Sequence, residues 1–261
     1  MSAPKKAVAL ERRLRGCTNV VTIGVRTNFS DYSPEEAELI RRAEKIYYPT
    51  LFYADLFDAI GKTIFPSYHT YKCVQDKIKQ TALFQLLKIP HPRTRVFYGR
   101  RWEGKVLDHF EFPFVAKIPR GSALGRGVFL IRNPSELAAY KNRTGVAYIQ
   151  EYLPANRDIR AVVIGERVVH AYWRMAAPGE FRSNIGAGGA VSLEPVPQSA
   201  LDLALHTARS CGWNDVGIDI SHHAGRFFVL EANMKYGKEG FRRAGIDYTR
   251  LMESLIEKGE I

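Results

Sequence analysis

Residues 216–233 read VGIDISHHAGRFFVLEAN: two runs rich in β-branched and aromatic residues, separated by a short turn that contains Gly225. Such a segment predicts a β-hairpin. The constraint lies in the acid placed inside each run, Asp219 in the first and Glu231 in the second. With Gly225 at the turn centre, the two acids are equally far from it and stand directly opposite, with Cβ atoms roughly 4.5–5.5 Å apart. Asn233, two residues beyond Glu231, shares their face. Ile218, Ile220, Phe228 and Leu230 are then expected on the opposite, core-facing side.

Opposed carboxylates destabilise a sheet unless something neutralises them. Three solutions fit the pattern: a shared proton, a hard cation, or an exposed sheet face in water. Two carboxylates and an amide oxygen suit Mg²⁺, which keeps waters and takes its remaining ligands from substrate phosphates.

The rest of the chain supplies a framework for such a site. Strand and helix alternate over the first 70 residues or so: NVVTIGV as a strand, residues 33–48 as a helix capped by Ser33 with Pro34 at its first position, LFYADLFDAIG as a second helix, and TIFP as a short strand. That pattern predicts a small α/β unit. Residues 71–89 read as one long amphipathic helix ending at PHP. Beyond it the pattern turns strand-rich, with hairpins such as DIRAVVIGERVVHAYWRM turning at Gly165 and Glu166, and helices over NPSELAAYKNR, SALDLALHTARSCG and DYTRLMESLIEKG. The expected class is α+β, with divisions at 1–72, 73–147 and 148–261.

Composition narrows the function. No apolar run approaches the roughly 20 residues of a membrane span, and the start lacks a signal-type hydrophobic stretch, so no membrane partner and a cytoplasmic location are expected. Cys17, Cys73 and Cys211 are too few and too dispersed for a disulfide framework or a zinc site. The net charge of +11 points to an anionic partner. The only basic clusters, at Lys5 and in RRLR from Arg12, fall in an N-terminus expected to fray.

Several segments suit a phosphorylated ligand. IGKT at residues 60–63 lacks the earlier glycine of a P-loop. AKIPRGSALGRGVFLI places Lys117 at a strand end before a loop with Gly121, Ser122, Gly125 and Gly127, whose backbone N–H groups can close around phosphate. QEYLP leaves a strand where backbone groups can meet an adenine edge. YWRMAAPGEFRSNIGAGGA carries Arg174, Arg182 and Asn184 beside glycines, which suits carboxylate or phosphate recognition. His222 and His223 are explained by the polarity of the hairpin turn.

Taken in order, these motifs resemble the ATP-grasp superfamily, and GEFRSN followed by GG resembles its RimK-like branch, the glutamate ligases that modify a ribosomal protein. The likeness runs from about residue 76 to the C-terminus. It implies an ATP-grasp fold, two α+β subdomains clamping ATP, preceded by the small N-terminal unit. It implies that Lys77 and Lys117 hold nucleotide phosphates under the glycine loop, and that Gln150, Glu151, Tyr152 and Leu153 form the adenine hinge with Asp158 nearby. Arg174, Arg182 and Asn184 are implied at the transferring phosphate, Ser183 at the substrate, and Asp219, Glu231 and Asn233 as ligands of Mg²⁺, for which Mn²⁺ can substitute. The implied activity is ATP-dependent carboxylate–amine ligation through an acyl-phosphate, with glutamate or another acidic substrate. A small-molecule kinase on the same fold is the alternative. A basic nucleic-acid-binding module is the lesser one, and a nucleic-acid partner is not expected. Homo-oligomers are common among such ligases.

One segment departs from the family pattern. After Asn233 the family continues with a small residue, a proline turn and an acidic EG. Here the run is MKYGKEG, with Met234, Lys235 and Tyr236 in place of the turn. In the family this stretch borders the acceptor pocket, so Lys235 and Lys238 are expected at an acidic substrate.

Overall fold

The computed structural model describes residues 6–99, 101–121, 127–183 and 188–261. Three sheets organise them. The first is parallel, in the order β2-β1-β3-β4, from β1 (Ala7–Ala9), β2 (Val20–Thr22), β3 (Lys45–Tyr47) and β4 (Thr63–Phe65). Helix α1 (Pro34–Arg42) precedes β3, and α2 (Thr50–Ala59) precedes β4. The Ser33 cap forms as expected: its hydroxyl accepts from the Glu36 amide while Glu36 reaches back to the Ser33 amide.

Two expectations fail in this region. The first helix does not run through residue 48: it ends at Arg42, and the β-branched and aromatic residues that follow enter β3. Nor does the described N-terminus fray. β1 is an inner strand, and RRLR contributes a 3₁₀ turn (Arg12–Leu14) with Leu14 fully buried. Lys5 lies outside the described residues.

Residues 71–89 form two helices rather than one, α3 (Tyr68–Val74) and α4 (Lys77–Leu86). Asp76 makes the break, since its carboxylate accepts from the amides of Ile78 and Lys79 and caps the second helix. Lys77 thereby begins a helix instead of sitting within one.

A second, antiparallel sheet in the order β5-β8-β6-β7 comprises β5 (Thr94–Phe97), β6 (Phe114–Lys117), β7 (Val128–Ile131) and β8 (Ala147–Glu151). Helices α5 (Trp102–Leu107) and α6 (Pro134–Lys141) bury Trp102, Leu137 and Tyr140 against it. Asn133 caps α6 by accepting from the Glu136 amide at 2.9 Å.

The third sheet runs β11-β10-β9-β12-β13, from β9 (Arg157–Ile164), β10 (Arg167–Met175), β11 (Ala190–Ser192), β12 (Asp215–His223) and β13 (Arg226–Asn233). Strand alternation gives its two faces different tasks. Ile159, Ala161, Val163, Val216, Ile218 and Ile220 pack against α7 (Gln198–Ser210) and the α3–α4 region. On the other face, Val162 and Ile164 join a core with Tyr48 and Phe65 of the first sheet region and Phe241 and Met252 near the C-terminus, from α8 (Glu239–Arg243) and α9 (Tyr248–Glu257). Further along this second face the β9 and β12 side chains are Asp158, Arg160, Gly217, Asp219 and Ser221, most of them lining a cavity.

Candidate active site

The opposed acids are present, by a different route from the simple hairpin. Ala224 and Gly225 form a two-residue loop with φ of 49° and 73°, as a type I′ turn requires. This moves the hairpin centre to between them, and the pairing runs His223 with Arg226 through Ile220 with Val229. Continued unchanged, it would set Leu230 against Asp219. A bulge between Asp219 and Ile220 shifts the register, so Asp219 faces Glu231 and Gly217 faces Asn233. Bulges re-aim side chains in this way beside functional sites. The bulge also corrects the expected core face: Val229 and Ala232 are buried there with Ile218 and Ile220, while Leu230 lines the cavity and Phe228 pairs with Ser221.

Each acid is neutralised by cations. Asp219 takes a bidentate ion pair from Arg160, with Nη2–Oδ2 at 3.0 Å, and a second contact from Arg174 at 2.9 Å. Arg174 also donates Nε and Nη2 to Asp158, both at 2.6 Å, and Ser183 Oγ donates to the same carboxylate. All four charged groups are at most 7% exposed. Charges removed from water to this extent require close pairing to persist.

Glu231 lies 3.8 Å from Lys77 Nζ and accepts from Asn233 Nδ2 at 3.0 Å. Burial raises its pKa, but Lys77, Lys117 and Asn233 outweigh burial and hold it at about 2, so Glu231 is ionised throughout the working pH range. Burial pushes the Lys117 ammonium below its usual range; Glu231 pulls it back, and Lys77 adds to the depression. These lysines are positioned through backbone ties. Tyr140 donates to the Lys117 carbonyl at 2.6 Å. Gln80 on α4 exchanges hydrogen bonds with both backbone groups of Ala232, at 2.8 and 3.0 Å, and so holds the Lys77 helix against β13 between Glu231 and Asn233.

These groups line one cavity of about 550 Å³ between the second and third sheets. Of the residues expected at the site, Lys77, Lys117, Gly127, Gln150, Glu151, Tyr152, Leu153, Asp158, Arg174, Arg182, Ser183, Asp219, Glu231, Asn233, Lys235 and Lys238 line it. Gly121 does not. Ser122, Gly125 and Asn184 lie outside the described residues. The Arg182 guanidinium engages Glu180 through two hydrogen bonds, of 3.1 and 2.6 Å. Gln150 donates to Thr94 Oγ1, and Glu151 accepts from the Arg93 amide, so the end of β8 is fixed by β5 and the residue before it. Arg160 and Tyr172 also line the cavity, and the sequence reading gave neither a role. Arg160 sits in the quoted DIR motif, two residues after Asp158 on the same strand face, which was the available signal.

Among the described residues, no three His, Cys, Asp or Glu side chains form a group suited to a metal ion. Asp219 already gives both oxygens to arginines. The donor set still fits a hard divalent ion: the ionised Glu231 and the Asn233 side chain are adjacent, the amide needs only to turn its oxygen in place of the Nδ2 that now donates to Glu231, and such an ion needs only one or two carboxylates when phosphates supply the rest. Asp219 joins them only by sharing its oxygens with Arg160 and Arg174.

Two lysines, Lys77 and Lys117, and two strand acids, Asp219 and Glu231, thus meet in one polar cleft between two antiparallel sheets. Solved structures agree on the fold. A RimK-domain ATP-grasp protein from Sphaerobacter thermophilus superposes with a TM-score of 0.71 at 15% identity, covering 95% of this chain and 98% of that one. D-alanine–D-alanine ligase from Bacillus anthracis, complexed with ATP, gives 0.69 at 15% identity, covering 98% and 97%. The RimK-like ATP-grasp domain model matches residues 74–256, and the chain belongs to that family. A probable alpha-L-glutamate ligase of Shewanella frigidimarina is 35% identical over 153 residues, 56% of this chain and 50% of the relative. A ribosomal protein bS6–L-glutamate ligase of Escherichia fergusonii is 30% identical over 192 residues, 70% of this chain and 64% of the relative. The chain thus spans half to two thirds of these relatives' lengths. No helix among the described residues is long and apolar enough to cross a membrane.

Proposed function

We propose that this protein is an ATP-dependent carboxylate–amine ligase, with the adenine at the Gln150–Leu153 end of the cavity and the acceptor beside Lys235 and Lys238. One observation carries the reading: Lys77, Lys117 and the ionised Glu231–Asn233 pair meet in one cleft large enough for a nucleotide. In this reading residues 73–147 and 148–261 clamp the nucleotide, and residues 1–72 support the acceptor side. The names of the relatives favour glutamate or another acidic molecule as a substrate, and the two lysines supply matching charge.

The reaction takes two steps. A substrate carboxylate oxygen attacks the γ-phosphorus of ATP, giving an acyl-phosphate and ADP. An amine then attacks the acyl carbon, phosphate leaves, the nitrogen gives up a proton to water, and an amide remains. Phosphoryl transfer asks the protein mainly for positioning and charge neutralisation. Lys77 and Lys117 pair with the phosphates. Arg174, braced by Asp158 and Asp219, presents a fixed positive edge beside them. Glu231 and Asn233, with Asp219, would hold a magnesium ion, which when bound neutralises phosphate charge. Neither step needs a nucleophilic serine or cysteine.

The test is phosphate release from Mg-ATP with pooled carboxylic acids and pooled amino acids and amines, with Glu231→Gln beside the wild type. Release that needs both pools and is lost in the variant supports a ligase. A stable phosphoester formed without amine would instead establish the kinase.

A further inference from the structure

The segment that departs from the family pattern is held in place from the N-terminal region. Met234 and Tyr236, which replace the small residue and proline turn, are both buried. The guanidinium of Arg13 lies 4.6 Å from the Tyr236 ring centroid, 5.1 Å from that of Tyr48 and 5.8 Å from that of Tyr248. It donates to the Met234 carbonyl at 2.9 Å and to the Tyr248 hydroxyl at 3.1 Å. It also lies 3.6 Å from Asp215, which is wholly buried and accepts from the hydroxyls of Tyr236 at 2.7 Å and Tyr48 at 3.0 Å. An arginine held among three rings gains from cation–π attraction as well as from its ion pair.

The cluster touches the site at two points. Asp215 and Asp219 share a face of β12, four residues apart. The Tyr236 carbonyl accepts from Arg160 Nη1 at 3.0 Å, and Arg160 grips Asp219. Tyr48 holds a left-handed backbone, φ 46°, a conformation that costs a non-glycine residue energy and persists only where the surroundings enforce it. Lys238, at the other end of the segment, rests 4.2 Å from the Tyr248 ring centroid.

We propose that Arg13 is a positioning residue: by clamping Met234 and Tyr236 within the Tyr48–Tyr236–Tyr248 cage, it fixes segment 234–238 at the acceptor end of the cleft and makes the N-terminal region part of the active site. The acceptor role of that end rests on the ligase reading. The placement of the segment by Arg13 does not.

The test uses the full chain with Arg13→Lys and with Arg13→Met/Asp215→Asn. The double variant removes both charges, so no buried carboxylate is left unpaired and the fold is retained. Three readouts are compared with wild type: amide hydrogen exchange, Mg-ATP binding by calorimetry, and phosphate release against a titrated pool of amino acids. The proposal expects exchange in residues 234–238 to quicken by about tenfold or more in the double variant, the scale of one charge-assisted hydrogen bond, with a smaller rise in Arg13→Lys. Exchange in β6, β8 and residues 150–153 stays at the wild-type rate, and Mg-ATP affinity changes by less than acceptor KM does, because the cluster reaches Asp219 indirectly, through Tyr236 and Arg160. Acceptor KM rises. Unchanged exchange at 234–238, or a uniform quickening across the chain, overturns the proposal. If the wild type shows no acceptor-dependent turnover, the ligase reading falls while the exchange readout still decides the role of Arg13.

Discussion

Gly217→Ala probes the site through space alone. Gly217 precedes Asp219 by two residues on the same face of β12 and faces Asn233. A Cβ built there would stand 2.5 Å from Tyr236 Cβ and 2.8 Å from Arg160 Cδ. Tyr236 cannot swing clear, because its hydroxyl is bound to Asp215 and its carbonyl to Arg160. The methyl must therefore push back the Tyr236 backbone and displace the Arg160 stem, which is bound to the Tyr236 carbonyl and orients Asp219. Overpacking of this kind costs about 1–3 kcal/mol. At this chain length that is a fall in Tm of about 2–6 °C. Calorimetry measures the stability term, and Mg-ATP-dependent phosphate release measures the functional one. Turnover should fall by more than stability explains, since a displaced Arg160 moves Asp219 even in molecules that remain folded. A variant with wild-type Tm and wild-type turnover would show that Arg160 and Tyr236 are not packed as described.

Other expectations concern charge and close packing. Glu231→Gln should abolish Mg-dependent turnover at a temperature where circular dichroism shows the variant folded; turnover within about tenfold of wild type would remove Glu231 from the site. Mg-ATP binding should take up a proton at alkaline pH, because the depressed pKa of Lys117 is restored when phosphate pairs with it. Calorimetry in buffers of different ionisation enthalpy reads that proton, and affinity should weaken as pH rises through the depressed pKa. In the free protein the sign for stability is opposite: unfolded Lys117 titrates near 10.5 and binds the extra proton, so its contribution to stability rises with pH across that window. Gly240→Ala places a methyl against the Tyr172 ring, which is only 1% exposed, and should cost about 1–3 kcal/mol by thermal denaturation. Lys235→Glu with Lys238→Glu should raise KM for an acidic acceptor by about tenfold or more and leave KM for ATP near wild type, as initial rates against each substrate would show.

The site was legible where chemistry and strand periodicity coincide. Asp219, Glu231 and Asn233 stand out as polar residues recurring every second position in apolar runs, and periodicity alone places them on one face. Their pairing was anticipated although the turn lies half a residue earlier than expected, because an unforeseen bulge restored the register. No sequence signal marks that bulge: Leu230 looks like any strand residue. The long helix over residues 71–89 was misread because its apolar spacing continues across a break made by one capping carboxylate, Asp76. The first helix was overextended because EKIYY suits helix and strand alike, and tertiary pairing with β1 decides between them. Arg13 was hidden for a more general reason. A basic run near a terminus usually faces water, and only the fold brings Asp215 and three tyrosines, from distant parts of the chain, around one guanidinium.

The central claim is that a substrate carboxylate, not a hydroxyl, receives the γ-phosphoryl group and passes an oxygen to phosphate. The direct measurement labels pooled acids with ¹⁸O in their carboxylates, supplies them with Mg-ATP and pooled amines, and analyses the released phosphate by mass spectrometry. An acyl-phosphate route predicts one ¹⁸O in the phosphate for each amide formed. Phosphate released without the label, or label retained in a phosphorylated product with no amide, would contradict it.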